Sequence, residues 1–216
     1  MIVKERMSHP VKTVGPDVSV IDALRRMEKE HINRFPVVDK HGMMIGIVSK
    51  NDLLKASPSH ATTLSQWEIT SMLEKIKVKS VMTKDPLVVH EDTVVEEAAR
   101  IMVDNDVNGL PVVRGNELVG IITDGNIFEI LMEMLGARNA GLRVSVLTDE
   151  REGMLYHLTK AIYQAGGNIV SMSTFLGEST TTREIVFKVG GVEQEALLEA
   201  IKPHILEVMH VHHVTV

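Results

Sequence analysis

The sequence predicts an α/β (α+β) chain: two β-α-β-β-α repeats packed as a pseudo-twofold pair, then a smaller domain of order β-α-β-β-α-β. Three observations carry this. The chain contains an internal repeat, its hydrophobic period alternates between strand and helix spacing inside each copy, and a different pattern begins after Gly136. Met7 and Met82, Ala23 and Ala98, and Pro36 and Pro111 each stand 75 residues apart, whereas Gly46 and Gly120 stand 74 apart. The one-residue slip falls in a turn, residues 39–42 in the first copy and 114–116 in the second.

In the first copy, residues 11–14 read as a short strand, and Pro16, Asp17 and Ser19 as turn and N-cap. Val20, Ala23, Leu24 and Met27 then form one apolar helix face. Residues 35–38 and 43–48 flank a turn and predict a hairpin, and residues 51–55 start another helix. The second copy repeats the order. Residues 88–90 form its first strand, and Thr93 with Glu96 predicts a capping box, with Val94, Ala98, Ile101 and Met102 on the apolar helix face. Strands at 110–113 and 118–123 and a helix at 126–135 complete it.

Residues 57–77 link the copies, with a helix capped by Ser65 and Glu68 and an apolar side of Leu64, Met72, Leu73 and Ile76. Trp67, the single Trp, reads as docking that helix on a repeat. The expected division is therefore 1–56, first repeat; 57–77, linker helix; 78–136, second repeat; 137–141, linker; 142–216, third domain. In that domain strands are expected at 142–147, 169–175, 183–189 and 208–214, and helices at 154–164 and 193–205. Leu155, Leu158 and Ile162 are expected to face inward. This order is the ferredoxin-like split arrangement.

Composition narrows the function. The net charge is −6 with acidic and basic residues interspersed, which argues against a nucleic-acid partner. Aromatic residues make up 3%, too few for base-stacking platforms. With no Cys there is no disulfide framework or thiol chemistry. Residues 1–5 show no signal-peptide core, and no apolar run is long enough to span a bilayer, so a cytoplasmic protein with no membrane partner is expected.

The chemistry-bearing segments recur with the repeat. Ser49-Lys50-Asn51-Asp52 and Thr123-Asp124-Gly125-Asn126 each sit between a strand and a helix. One reading is a plain N-cap. The other is a nucleotide site, in which the hydroxyl and helix N–H groups meet phosphate and a carboxylate accepts from ribose hydroxyls. Pro36 and Pro111 lack an N–H and hold the preceding residue extended, leaving an apolar wall suited to a flat ring. Lys12, Thr13 and Val14, and Val88, Val89 and His90, could offer backbone hydrogen bonds to that ring.

These segments together resemble a tandem pair of CBS domains, the Bateman module, over residues 3–135. That resemblance implies an adenine ligand such as AMP, ADP, ATP or S-adenosylmethionine. It places Ser49 and Thr123 at phosphate and Asp52 at ribose. Phe35, Pro36 and Val37, with Leu110, Pro111 and Val112, would flank the base. Asn126 stands where the family usually has Asp, and Asp124 puts a negative charge beside the expected phosphate, where the first repeat has Lys50. The Ser49/Asp52 site is therefore expected to bind more tightly. Arg34 replaces the Gly109 of the second repeat; contact with phosphate and a surface ion pair both remain open.

The last domain resembles an ACT domain through residues 149–155 and 166–169. That implies an amino-acid site involving Asp149, Gly153, Met154, Leu155, Asn168 and Ile169, or a role in pairing subunits. The combination resembles acetoin-utilisation proteins of the AcuB type. The expectation is a regulatory homodimer that binds an adenine ligand, requires no cofactor and is not an enzyme, coupled to an unidentified protein partner or to carbon metabolism. The alternative is an interaction scaffold with empty clefts. His210, His212 and His213 read as exposed strand residues rather than a metal site, and Glu150, Arg151 and Glu152 as a solvated loop.

Overall fold

The computed structural model describes residues 1–56, 73–177 and 179–215. Ser65, Glu68, Leu64, Met72 and Trp67 lie outside the described residues. The chain packs as two compact units, Met1–Ile127 and Phe128–Val216. No helix among the described residues is long and apolar enough to cross a membrane.

In the first unit, helix α1 (Val20–Glu30) begins at Ser19, whose Oγ accepts from the Asp22 N–H. It ends at His31 in the left-handed region, φ 53°. Its face of Val20, Ala23 and Met27 packs on strands β1 (Arg34–Val38) and β2 (Met44–Ser49), which form an antiparallel hairpin. Helix α2 (Lys50–Lys55) follows without a gap. The expected strand at 11–14 reduces to one parallel bridge, Val14 to Val37, because Val14 exchanges hydrogen bonds only with Pro36 and Val38.

The second repeat carries β3 (Val89–His90), α3 (Val95–Asp104), β4 (Gly109–Arg114), β5 (Glu117–Thr123) and α4 (Asp124–Met134). Strand β3 runs parallel to β4, and β4 antiparallel to β5. Both hairpins carry a register shift at the same repeat position, Val37/Val38 and Val112/Val113. The expected capping box at Thr93 and Glu96 is absent. The N-cap is Val94, with no side-chain bond, because the Val95 N–H is met by the Met1 carbonyl. This shift exposes Val94 and turns Val95, Ala98 and Met102 inward.

Packing crosses over between the repeats. A 3-10 turn at Val3–Glu5 donates to Thr93 and Glu91 carbonyls, and its Val3 is buried with Val89, Leu110 and Ile122. The matching turn at Val78–Ser80 donates to Val18 and Pro16 carbonyls, and its Val78 is buried with Val20, Phe35 and Leu53. Downstream of each turn, Ser8 pairs with Ile121 on β5, and Thr83 pairs with Ile47 on β2. Each repeat's core is thus closed by the segment that leads into the other.

The second unit contains β6 (Gly141–Asp149), α5 (Met154–Gln164), β7 (Asn168–Leu176), β8 (Thr182–Gly190), α6 (Gln194–Ile201), a 3-10 turn Lys202–His204 and β9 (Glu207–Val214). The sheet order is β7-β8-β6-β9, with every neighbouring pair antiparallel. Helices α5 and α6 cover one face through Leu158, Ile162, Leu197 and Ile201. Leu155, expected inside, is exposed, and Met154 and Ala161 take the inward positions. The segment around the expected linker, 137–141, is tied to the sheet: buried Lys188 donates to the carbonyls of Gly136, at 2.7 Å, and Asn139, at 3.1 Å.

Candidate functional site

The hydroxyl-x-x-acid motifs fold as the local chemistry requires. Ser49 Oγ accepts from the Asp52 N–H at 3.2 Å, while Asp52 Oδ2 accepts from the Ser49 N–H at 2.9 Å and from its hydroxyl at 2.6 Å. Thr123 and Asn126 copy this, with Asn126 Oδ1 accepting from the Thr123 N–H and hydroxyl, both at 3.0 Å. The plain N-cap reading is therefore realised at both positions. It also fixes both hydroxyls and the Asp52 carboxyl at the rim of a cleft.

The first cleft, of about 400 Å³, brings together Ser49, Asp52 and Ile47 of the first repeat with Thr83, Asp85, Pro86, Leu87 and residues 106–110 of the second; Arg34 closes it. The second cleft, of about 770 Å³, joins Thr123, Asp124, Gly125 and Ile121 to residues 7–12 and 31–34. The two clefts are counterparts under the repeat, and each is built from both halves because of the crossed arms. Arg34 lines both.

Of the residues expected at the site, Arg34, Ser49, Asp52, Gly109 and Leu110 meet in the first cleft, and Thr123 reaches the second. Phe35, Val37, Val14, Val89 and Val112 are core residues, each at most 4% exposed; Pro36 and Pro111 are buried with them, and none lines either cleft. Thr13 gives its carbonyl to Arg26 at 3.1 Å. Val88 is exposed, and Asn126 lies behind the cap; neither lines a cleft. Lys50 is exposed and does not line the Ser49 cleft.

The sequence reading missed the opposing walls. Asp85 and Asp106 face Ser49, and Met7 to Val11 face Thr123, together with Lys12, expected to offer only its backbone. Their signal was present in the repeat: each wall precedes the first strand of one copy or follows its first helix. His31 and Asp106, 75 apart, share a left-handed backbone, φ 53° and 52°, that turns the chain into the cleft.

Arg34 is the electrostatic centre. Burial pulls its pKa down, and the charge of Asp124 in part restores it. No hydrogen bond reaches its guanidinium among the described residues, whereas Asp124 accepts from the Gly125 N–H at 2.8 Å and from Asn108 Nδ2 at 3.2 Å.

A third cleft, of about 380 Å³, lies in the second unit. It gathers Asp149, Gly153, Met154 and Leu155 with Tyr156, Thr174 and Arg183. Gly153 sits at φ 76°, which a side chain would strain. Arg183 pairs with Glu150, which raises the guanidinium pKa. Asn168 and Ile169 belong to the opposite end of the sheet: Asn168 pairs with Gly190, while the cleft lies near Arg183, which pairs with Leu176. His213 bonds Gln194 at 2.9 Å, and the His210 and His212 rings stand 6.2 Å apart. No group of three metal-ligating side chains occurs among the described residues.

Comparison with known proteins agrees with this architecture. The family model for the CBS domain matches twice, over residues 3–59 and 78–133. An uncharacterised protein of Methanocaldococcus jannaschii is 32% identical over 156 residues, spanning 61% of this chain and 92% of its own length. A Vibrio cholerae protein assigned to acetoin utilization (AcuB) superposes with a TM-score of 0.53 at 30% identity, over 64% of this chain and 95% of its own. The CBS domain pair of protein MJ0100, solved with 5′-methylthioadenosine and S-adenosylmethionine, gives a TM-score of 0.52 at 28% identity, over 64% and 98%. CBSX2 of Arabidopsis thaliana, solved with AMP, gives 0.53 at 31% identity, over 62% and 97%. Through its crossed repeats and both family matches, this chain belongs to the CBS domain family, as a tandem pair followed by a further unit.

Proposed function

We propose that this protein is a regulatory binding protein, not an enzyme, whose CBS pair takes an adenine ligand. One observation carries the reading: two clefts in the first unit, each joining a Ser/Thr-x-x-Asp/Asn helix start to the opposing arm of the other repeat. The hydroxyls stand at phosphate, Asp52 at ribose, and Leu110 with Leu87 forms an apolar wall for the base. The ligands solved in two similar structures, AMP and methylthioadenosine with S-adenosylmethionine, support this class.

Ligand binding regulates by linkage. A molecule that touches both halves favours the arrangement in which they close on it, and only through its difference in affinity between arrangements. We read residues 142–216 as an ACT-type module of the ferredoxin-like class, on the sheet order β7-β8-β6-β9 and the cleft beside Gly153. It either pairs subunits or takes an amino acid. Exposed Phe128, Leu131 and Met134 on α4 support assembly as a homodimer. A role in carbon or acetoin metabolism rests on the AcuB likeness alone, and a cytoplasmic setting on the sequence reading alone.

The rival is a scaffold with empty clefts, favoured by one observation: Ser49 and Asp52 already satisfy each other as a cap. Thermal denaturation with AMP, ADP, ATP, S-adenosylmethionine and amino acids separates the two. A ligand at a hundred times its Kd adds about 2.7 kcal/mol, a midpoint rise of roughly 5–10 °C. A rise with an adenine ligand is expected; no rise with any adenine ligand would select the scaffold.

A further inference from the structure

The two clefts share a plan and differ in charge. Three carboxylates, Asp52, Asp85 and Asp106, line the Ser49 cleft against the single guanidinium of Arg34. The Thr123 cleft carries Lys12, Arg34, His9 and His31 against Asp124 alone. Both Asp124 oxygens are already engaged, by Gly125 N–H and Asn108 Nδ2. Lys12 is held by two long contacts to Glu30, its carboxylate and its backbone carbonyl, each at 3.4 Å, with half its side chain exposed, so it can turn to a ligand.

Arg34 stands in the wall between the clefts. A partly buried guanidinium that makes no hydrogen bond among the described residues is well placed for an anion, and phosphate matches its fork. Approach from the Thr123 side meets cations. On the Ser49 side, a phosphate would lie among three like charges, where a neutral thioether is spared the repulsion and a sulfonium is attracted. The helices reinforce the difference: α4 has eleven residues and α2 six, so the fuller dipole points at the Thr123 cleft.

We propose that the clefts take different classes of adenine ligand. A phosphorylated nucleotide occupies the Thr123 cleft through Arg34 and Lys12. An adenosine derivative without phosphate, neutral or cationic at its 5′ substituent, occupies the Ser49 cleft. This rests on the adenine-ligand reading above but takes the phosphate away from the Ser49 hydroxyl, and it reverses the ranking that Lys50 suggested, since Lys50 does not line that cleft.

The test is calorimetric titration of the full chain with ATP and with 5′-methylthioadenosine, each alone and with the other saturating. One site per chain is expected for each, with both filled together. Lys12→Ala should weaken ATP about tenfold and methylthioadenosine less than about twofold. The double variant Asp85→Asn, Asp106→Asn should admit a second ATP. Asn suits both positions, because each has positive φ, 48° and 52°, and Asn tolerates that backbone. Competition of the two ligands for one site, two ATP per wild-type chain, or equal losses with Lys12→Ala would overturn the assignment while keeping adenine binding. Binding of neither would remove the adenine reading and the assignment together.

Discussion

The guanidinium of Arg34 rests on the backbone of Gly109, its own counterpart in the other repeat. They stand 75 residues apart in sequence, and a Cβ on Gly109 would lie 3.0 Å from Arg34 Cζ. A position near a pseudo-twofold axis meets its own copy. Two arginines there would collide and repel, so one copy carries the side chain and the other makes room. The same asymmetry gives both clefts one shared cation.

That relationship predicts a rescue. Gly109→Ala should cost about 1 kcal/mol, since Arg34 can swing away, although the Ile122 carbonyl, 3.1 Å from the new Cβ, limits the space. Gly109→Arg should cost more. Adding Arg34→Gly to it should recover much of the loss in urea denaturation; no recovery would mean the axis packing is not the cause.

A second pair of counterparts should respond unequally. A Cβ on Gly46 would lie 2.7 Å from the Thr83 carbonyl oxygen, which is fixed backbone in a strand bridge. On Gly120 its three nearest neighbours would all be Met7 side-chain atoms, with Cγ at 2.9 Å. Gly46→Ala should cost about 1–3 kcal/mol and Gly120→Ala less than about 1, because Met adapts and a carbonyl does not. Thermal midpoints of the two variants decide it.

The crossed arms predict where damage appears. Val3→Ala should cost about 2 kcal/mol. Its amide-exchange protection should fall in residues 109–123 rather than in the first repeat, since Val3 is buried with Leu110 and Ile122. Val78→Ala should loosen residues 34–49 instead, through Phe35 and Val48. Loss confined to the variant's own repeat would contradict the crossover.

Lys188→Met removes the donor for the Gly136 and Asn139 carbonyls while keeping the apolar stem. About 1–3 kcal/mol should be lost from the second unit, with new proteolytic cleavage near residues 136–139. An unchanged denaturation midpoint and digest would show the clamp to be idle.

Acid stability should depend on Glu91. Arg114 donates to both its oxygens, at 2.5 and 2.8 Å, and holds its pKa below the usual carboxylate range. A depressed folded-state pKa contributes stability that is full above the unfolded value, roughly 4.3, and is lost as pH falls through the lower folded value. Asp17, beside Lys79, and Asp39, accepting from the Met43 and His41 N–H groups, act in the same direction. Denaturation midpoints against pH should fall on this acid limb for wild type and fall less steeply for Glu91→Gln; identical slopes would remove Glu91 from the account.

Much of the fold was legible in the chain. Period and cap chemistry placed α1, the β1–β2 and β4–β5 hairpins, and α5 at Met154–Gln164, where apolar spacing and turn residues agree. The Thr93 capping box failed because a backbone carbonyl from Met1, distant in sequence, took the role that side chains were expected to fill. Leu155 failed because the helix spacing is satisfied equally by Met154, and only packing on the sheet sets the rotation.

The candidate site divides the same way. Local chemistry determined Ser49 with Asp52 and Thr123 with Asn126, since each pair lies within one helical turn and its bonds are set by nearby backbone. Tertiary structure alone decided what faces them. Asp85 and Asp106 oppose Ser49, and Lys12 and His31 oppose Thr123, because the arms cross between repeats. Phe35 and Val112, which the sequence offered as walls for a ring, are instead spent on the core. Short-range bonds are written in spacing; the charge of a cleft is the sum of side chains from distant segments, which only packing brings together.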